Sequence, residues 1–147
     1  MSAPSSPQAP LQPTDVLSAL NELLEAERAG ARVARETAAA IGANHDWQAL
    51  VSDIQHDEVH WCGMLMKAIC AMGATPSDQT GAFHGKAMAI AELGERMAFL
   101  NRGQAWVVRR LQALLPRLTD EGIRQDLQAM HDAHVGNIDK VEQRLHA

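Results

Sequence analysis

The segment Ile54–Trp61 concentrates side chains that can bind a metal ion, with two acids and two histidines inside one short stretch. Asp57 and His60 are three residues apart, so on a helix they share one face and can direct two ligand atoms at a single ion. Glu58 borders the same apolar stripe as Asp57. His56 and His60 form a rival pair four residues apart. The pattern therefore predicts a helix-borne metal half-site and leaves the choice between Asp57 and Glu58 open.

Four long segments with helical apolar periodicity would have to position these groups. They are predicted over residues 15–41, 46–72, 85–115 and 120–145. Gly42 and Gly73 are suitable residues to end the first two helices, and Pro116 stops the third. Helices of this length joined by short turns indicate an all-α, antiparallel four-helix bundle.

The connection between the second and third predicted helices is long. About 10 to 13 residues can span roughly 33–45 Å when extended, close to the length of a 27-residue helix. The connection can therefore return along the whole bundle as a helix 2–helix 3 crossover. Residues 1–13 contain four prolines and three serines and are expected to form a disordered tail, leaving 14–147 as the bundle domain.

Polar residues interrupt the apolar seams of the predicted helices. Glu27 lies in the Leu/Ala seam of the first helix, and Gln104, one turn after Asn101, interrupts the third. His134 lies in the seam of the fourth helix, and His131 precedes it by three residues. A buried carboxylate must be paired, protonated or bound to a cation. These positions are thus candidates for one interior polar site.

The heights of these interruptions agree within each predicted hairpin. Residues equidistant from a turn lie at the same level, so Glu27 faces residues 57–60 and Gln104 faces His131. If the two hairpins dock in register, all four interruptions meet. The site predicted in this way contains Glu27, Asp57, His60, Gln104, His131 and His134.

Composition narrows the classes of function. The formal net charge is −5 and the arginines are dispersed, which argues against nucleic acid as the main partner. Cys62 and Cys70 are about 12 Å apart along one helix, too far for a disulfide, so free thiols are expected. No apolar run approaches the roughly 20 residues of a membrane span, and no secretory signal is apparent. The expected location is the cytoplasm.

Three motifs resemble those of a known superfamily. Leu20–Glu27 (LNELLEAE) resembles the first-helix motif of bacterioferritins, with the glutamate ligand at Glu27. Asp57–His60 resembles the second-helix Glu-x-x-His motif with Asp in place of Glu. His131–His134 occupies the place of the second such motif, with His in place of Glu. Over roughly residues 15–146 the chain resembles the ferritin-like superfamily, which includes bacterioferritins and rubrerythrins.

The resemblance implies a metal site, but with an altered ligand set. Its metal ligands would be Glu27, Asp57, His60, His131 and His134. Gln104 and Asn101 stand at the height where the third helix would carry a carboxylate, and Gln104 would orient a bound water or ligand. Two acids with up to three imidazoles suit a single divalent ion (Fe, Zn or Mn) better than two irons. The chain also has no Tyr for radical chemistry.

Two hypotheses follow from the sequence. The first is a metal-binding protein with a non-standard interior site and, by analogy with the family, a redox role; no specific reaction is indicated. The alternative is a metal-free bundle that acts as a structural or interaction module, with Met and Trp residues supplying contacts. The resemblance also implies a homodimer formed through the bundle faces.

Overall fold

The structure, a computed structural model, describes residues 9–147. Of the predicted disordered tail, residues 1–8 lie outside this range. Within the remainder, the amide of Leu11 donates a hydrogen bond to the carbonyl of Arg117 at 3.1 Å. The guanidinium of Arg117 in turn donates to the carbonyl of Ala9. The segment before the first helix is therefore attached to the turn that precedes the last one.

Over residues 9–147 the chain forms five α-helices and no strand, so the predicted all-α class is confirmed. The helices are α1 (Pro13–Ile41), α2 (Gln48–Ala71), α3 (Phe83–Met88), α4 (Leu93–Leu114) and α5 (Glu121–Leu145). A single 3-10 turn, Leu115–Arg117, follows α4. Gly42 ends α1 with a φ of 81°, a backbone conformation that favours glycine.

The long helices pack as two hairpins. α1 lies against α2 and α4 against α5, each pair joined by a short turn, so each pair is antiparallel. Contacts of α1 with α4 and of α2 with α5 join the hairpins, and α3 packs on α1 and α4. All four long helices consequently face a common interior.

The predicted third helix, 85–115, is wrong as one element, because the chain breaks between Met88 and Leu93. The carboxylate of Glu92 accepts hydrogen bonds from the amides of Gly94 and Glu95 and so begins α4. α3 is held separately. His84 Nε2 lies 2.6 Å from Glu36 Oε2 on α1, and the Phe83 ring stacks on Phe99 at 4.9 Å between centroids.

The apolar core is divided into two clusters. One contains Leu20, Leu24, Leu65, Ile69, Val107, Leu111, Leu127 and Met130 among others. The other contains Val33, Ala34, Val51, Ile54, Met97, Leu100 and Val141 among others. On each long helix one or two buried polar residues lie between the two clusters. The polar layer, as it is called below, takes one from each helix and consists of Glu27, Glu58, Gln104 and His134; Asn101 and Asn137 lie one turn away on α4 and α5.

No helix among the described residues is both long enough and apolar enough to cross a membrane.

Candidate metal centre

Three side chains of the polar layer converge. Glu27, Glu58 and His134 are 1, 3 and 1 % exposed, and each offers a ligand atom within 4.8 Å of the other two. Donor atoms about 2.0–2.2 Å from an ion can be at most about 4.4 Å apart, so this spacing needs little adjustment. Two carboxylates and one imidazole form a donor set suited to Fe, Zn or Mn.

The His134 ring is oriented as a ligand would be. Its Nδ1 lies 2.8 Å from the Met130 carbonyl, which can only accept, so Nδ1 carries the proton and Nε2 faces the cluster. Nε2 is 2.6 Å from Glu27 Oε1. Burial lowers the pKa of His134, but the Glu27 carboxylate and the Met130 carbonyl outweigh it, and the net shift is upward. Without an ion, the contact with Glu27 therefore favours the protonated form of His134.

The carboxylates are incompletely satisfied. Despite the short contact with His134, neither oxygen of Glu27 has a well-aligned hydrogen bond, and Glu58 Oε2 has no partner. Burial, followed by the charges of Glu27 and Asp57, raises the pKa of Glu58 well above its ordinary value. Buried acceptors left unpaired are costly. A bound cation would satisfy all three oxygens together.

Gly30 makes room for Glu58. A Cβ built at Gly30 would lie 2.8 Å from Glu58 Oε1 and would overlap Oε2. Gly30 follows Glu27 by one helical turn, so the missing side chain lies directly beside the first carboxylate. The glycine inside α1 thus allows both acids to occupy the same level.

A cavity of about 250 Å³ adjoins the three groups and is called the central cavity below. Its lining is Ala26, Glu27, Gly30, Glu58, Phe83, Leu100, Gly103, Gln104, Trp106, Val107 and His134. The polar layer forms one end. Trp106 is 36 % exposed, and Ala26 and Gly103 are half-buried, so the opposite end approaches solvent between α1 and α4.

The two buried amides on α4 have separate roles. The Asn101 amide donates to the Ile138 carbonyl at 3.2 Å and to Glu142 at 3.1 Å. Gln104 donates its own amide N–H to Asn101 Oδ1 at 3.4 Å, which leaves Gln104 Oε1 buried without a partner. Asn101 therefore anchors Gln104, and Gln104, which lines the central cavity, holds a buried oxygen without a partner.

Three residues predicted for the interior site lie elsewhere. His60 is exposed, with its ring edge-on to Trp61. His131 is half-buried and lies 3.2 Å from Gln112 and 3.0 Å from Asp132. Asp57 accepts a hydrogen bond from Asn137 at 3.0 Å. The placement of these three in the cluster was wrong, whereas Glu27, Gln104 and His134 line the central cavity.

Helix geometry explains why Glu58 lies in the interior and His60 does not. The buried positions of α2 include Val51, Ile54, Glu58 and Leu65, which repeat at spacings of 3, 4 and 7. Glu58 belongs to this seam, and His60, two residues further, points about 200° away. The heptad repeat could have selected Glu58, while the three-residue spacing favoured Asp57. Gly30 also gave a weak signal, because a glycine within a helix can make room for a neighbouring group, as it does here but not at Gly136.

The two thiols differ in environment. Cys62 and Cys70 are free, as their spacing predicts. Cys62 is half-buried, whereas Cys70 is exposed. Burial, with the charges of Glu27 and Glu58, raises the pKa of Cys62 to about 12. Only about one Cys62 in 10⁴ is thiolate at pH 8.

Cys62 is expected to alkylate far more slowly than Cys70. Mass spectrometry after timed iodoacetamide exposure at pH 8 measures both rates in one sample. A cation between Glu27 and Glu58 would offset the two charges, so metal should accelerate the reaction of Cys62 but not of Cys70. Equal rates at the two thiols would contradict this environment.

The comparisons place the chain in a family. No curated protein and no solved structure matches it. A family model described as a domain of unknown function, DUF6306, matches residues 14–143, which include all three converging side chains and Gln104. The chain therefore belongs to the DUF6306 family.

Proposed function

We propose that the protein binds one divalent metal ion through Glu27, Glu58 and His134. The observation that carries this proposal is the convergence of three buried ligand atoms, two of them from incompletely satisfied carboxylates. A half-satisfied polar cluster is worse for stability than an apolar core. An ion would turn this cluster into a coordinated centre.

Charge balance supports the proposal. Without an ion, the upward pKa shifts of Glu58 and His134 favour a proton on each. A divalent cation can replace these two protons, leaving two carboxylates and a neutral imidazole around it. The Met130 carbonyl would then accept the hydrogen bond from His134 Nδ1 and hold the ring with Nε2 toward the ion.

Three protein ligands leave at least one coordination position for water or another molecule. That position would face the central cavity, because its lining includes all three ligands. Fe, Zn and Mn suit the mixed donor set. A redox role follows if the ion is iron, and this step remains by analogy with the ferritin-like superfamily.

The ferritin-like four-helix arrangement is part of the same proposal. It is supported by the two antiparallel hairpins, the long connection from α2 to α4 and the presence of one polar-layer residue on each long helix. The two free thiols suit a reducing compartment, so we place the protein in the cytoplasm.

Elemental analysis tests metal binding directly. Full-length protein without a histidine tag is incubated anaerobically with Fe(II), Mn(II) or Zn(II), dialysed and analysed. We expect about one ion per chain for at least one metal. A Glu27→Ala, His134→Ala double variant should lose it, because a single carboxylate cannot hold the ion.

The matched control is a Glu25→Ala, His60→Ala double variant. It removes the same residue types from α1 and α2 at positions outside the cluster. It should retain the ion. If the wild type takes up none of the three metals, or if the Glu27→Ala, His134→Ala variant still binds, the proposal fails.

The alternative is a metal-free interaction module. It is favoured by exposed apolar residues on α2, where Val59 is 55 % and Met66 38 % exposed, seven residues apart and so on one face. Homodimer formation through this face would make sedimentation depend on protein concentration, and Val59→Lys should abolish that dependence. A monomer at all concentrations would exclude the dimer.

A further inference from the structure

The side-chain atoms without a hydrogen-bond partner at the polar end of the central cavity are all acceptors. Gln104 Oε1 and Glu58 Oε2 are buried and unpartnered, and Glu27 adds two more oxygens. A molecule that reaches this end must therefore bring a donor or a positive charge. If the ion occupies the carboxylates, Gln104 Oε1 is the acceptor that remains.

The orientation of this acceptor is established by its neighbours. Asn101 directs its own amide N–H groups at Ile138 and Glu142, so its oxygen is left to accept from Gln104. The Gln104 nitrogen is thereby engaged and its oxygen is free. Gln104 is 3 % exposed, so this oxygen has little access to bulk water.

The rest of the central cavity is apolar. Leu100, Val107, Phe83 and Trp106 line it, and two glycines, Gly30 and Gly103, widen it. A side chain at Gly103 would strike the Phe83 ring at 2.7 Å. A volume of about 250 Å³ exceeds the roughly 150 Å³ that accommodates benzene and falls below that of drug-sized sites. The occupant is therefore small, with space for one ring and a short substituent.

We infer that the central cavity binds a small aromatic alcohol, with its ring among the apolar side chains and its hydroxyl donating to Gln104 Oε1. The inference gives the ligand class of the proposed metal site, and it depends on the proposed metal ion in one respect. The ion neutralises Glu27 and Glu58, so a neutral hydroxyl suits the polar end, whereas an ammonium group would compete with the ion.

Benzyl alcohol and ethylbenzene test the inference, because they have the same shape and number of heavy atoms and differ in the hydroxyl. Binding of each to metal-loaded full-length protein is measured by calorimetry. Ethylbenzene is the more hydrophobic of the two and could bind more tightly for that reason alone. The quantity compared is therefore the change in affinity that a substitution causes for each ligand. Gln104→Leu keeps the side-chain bulk and removes the acceptor. The affinity for benzyl alcohol should fall about tenfold, and the affinity for ethylbenzene should stay the same or rise.

Two further variants complete the design. Gln143→Leu, at an exposed position of α5, is the matched control and should leave the affinity for both ligands unchanged. Ala26→Phe fills the solvent end of the central cavity and should abolish binding of both, which keeps the test decisive if Gln104→Leu does not fold.

The metal content of every sample is measured in parallel, so the two hypotheses fail separately. Stoichiometric metal with no benzyl alcohol bound at millimolar concentration overturns the ligand inference alone. Equal weakening of both ligands by Gln104→Leu, or unchanged binding in Ala26→Phe, also overturns it. Absence of metal is instead a failure of the proposed function.

Discussion

Replacement of Glu58 by glutamine is expected to abolish metal binding and to make the metal-free protein more stable than the wild type at neutral and alkaline pH. Burial, with Glu27 and Asp57 nearby, raises the pKa of Glu58 well above its ordinary value. The folded protein therefore retains a proton that the unfolded chain releases near pH 4.5. Glutamine has a similar shape and no proton to lose.

The sign of the pH dependence follows from proton counting. Between the unfolded and folded pKa values of Glu58, the unfolded chain binds fewer protons, so the free energy of unfolding falls as pH rises. One proton gives a slope of at most about 1.4 kcal/mol per pH unit. The raised pKa of His134 acts in the same direction at higher pH. Its contribution to the free energy of unfolding is complete below about pH 6.5, the pKa of an unfolded histidine, and is lost as pH rises through the pKa of the folded state.

Urea unfolding of chelator-treated protein from pH 5 to pH 9 measures this effect. The stability advantage of Glu58→Gln should grow with pH, and the remaining slope should reflect His134. Glu25→Gln, on α1 and outside the cluster, serves as the control and should leave the wild-type slope unchanged. A difference between Glu58→Gln and wild type that stays constant with pH would show that Glu58 is not protonated in the folded state.

A second large effect is expected from one added methyl group. Gly30→Ala should reduce metal affinity about 10- to 100-fold, the range seen when groups that orient a ligand are altered. The new Cβ would overlap Glu58 Oε2 and force the carboxylate away from His134. The free energy of unfolding should fall by no more than about 2 kcal/mol, because alanine favours a helix by about 1 kcal/mol and overpacking costs about 1–3 kcal/mol.

Gly136→Ala is the matched control, since it lies within α5 and its added Cβ meets nothing within 4 Å. It should gain about 1 kcal/mol of stability and leave metal affinity unchanged. Glu58→Asp shortens the displaced side chain, so combining it with Gly30→Ala should recover part of the affinity. Metal titration monitored by calorimetry gives these values. Unchanged affinity in Gly30→Ala would place the ion elsewhere.

The long helices were predictable because their apolar repeats extend over many turns. The break before Leu93 was not, because Glu92 is an uncommon residue at a helix start and its capping role depends on two amides that follow it. The apolar repeats before and after the break therefore read in the sequence as one continuous helix.

Three members of the polar layer, Glu27, Gln104 and His134, were predictable because each interrupts an otherwise apolar seam. Glu58 was harder, since two adjacent acids border the seam and a rotation of about 100° decides between them. Side-chain direction, tertiary docking and the space provided by Gly30 make that choice. The central cavity was not predictable, because it depends on Phe83, which the sequence pattern left in the connection before the third predicted helix.

The separate attachment of α3 has a consequence for exchange rates. Six residues are too few for a helix to persist alone, so α3 depends on its contacts with α1 and α4. Its amide hydrogens should exchange with solvent through local opening, long before those of α1 are released by global unfolding. Opening withdraws Phe83 from Gly103 and leaves Glu27, Glu58 and His134 on intact helices. Molecules in the central cavity can then come and go on a faster timescale than an ion held at its polar end.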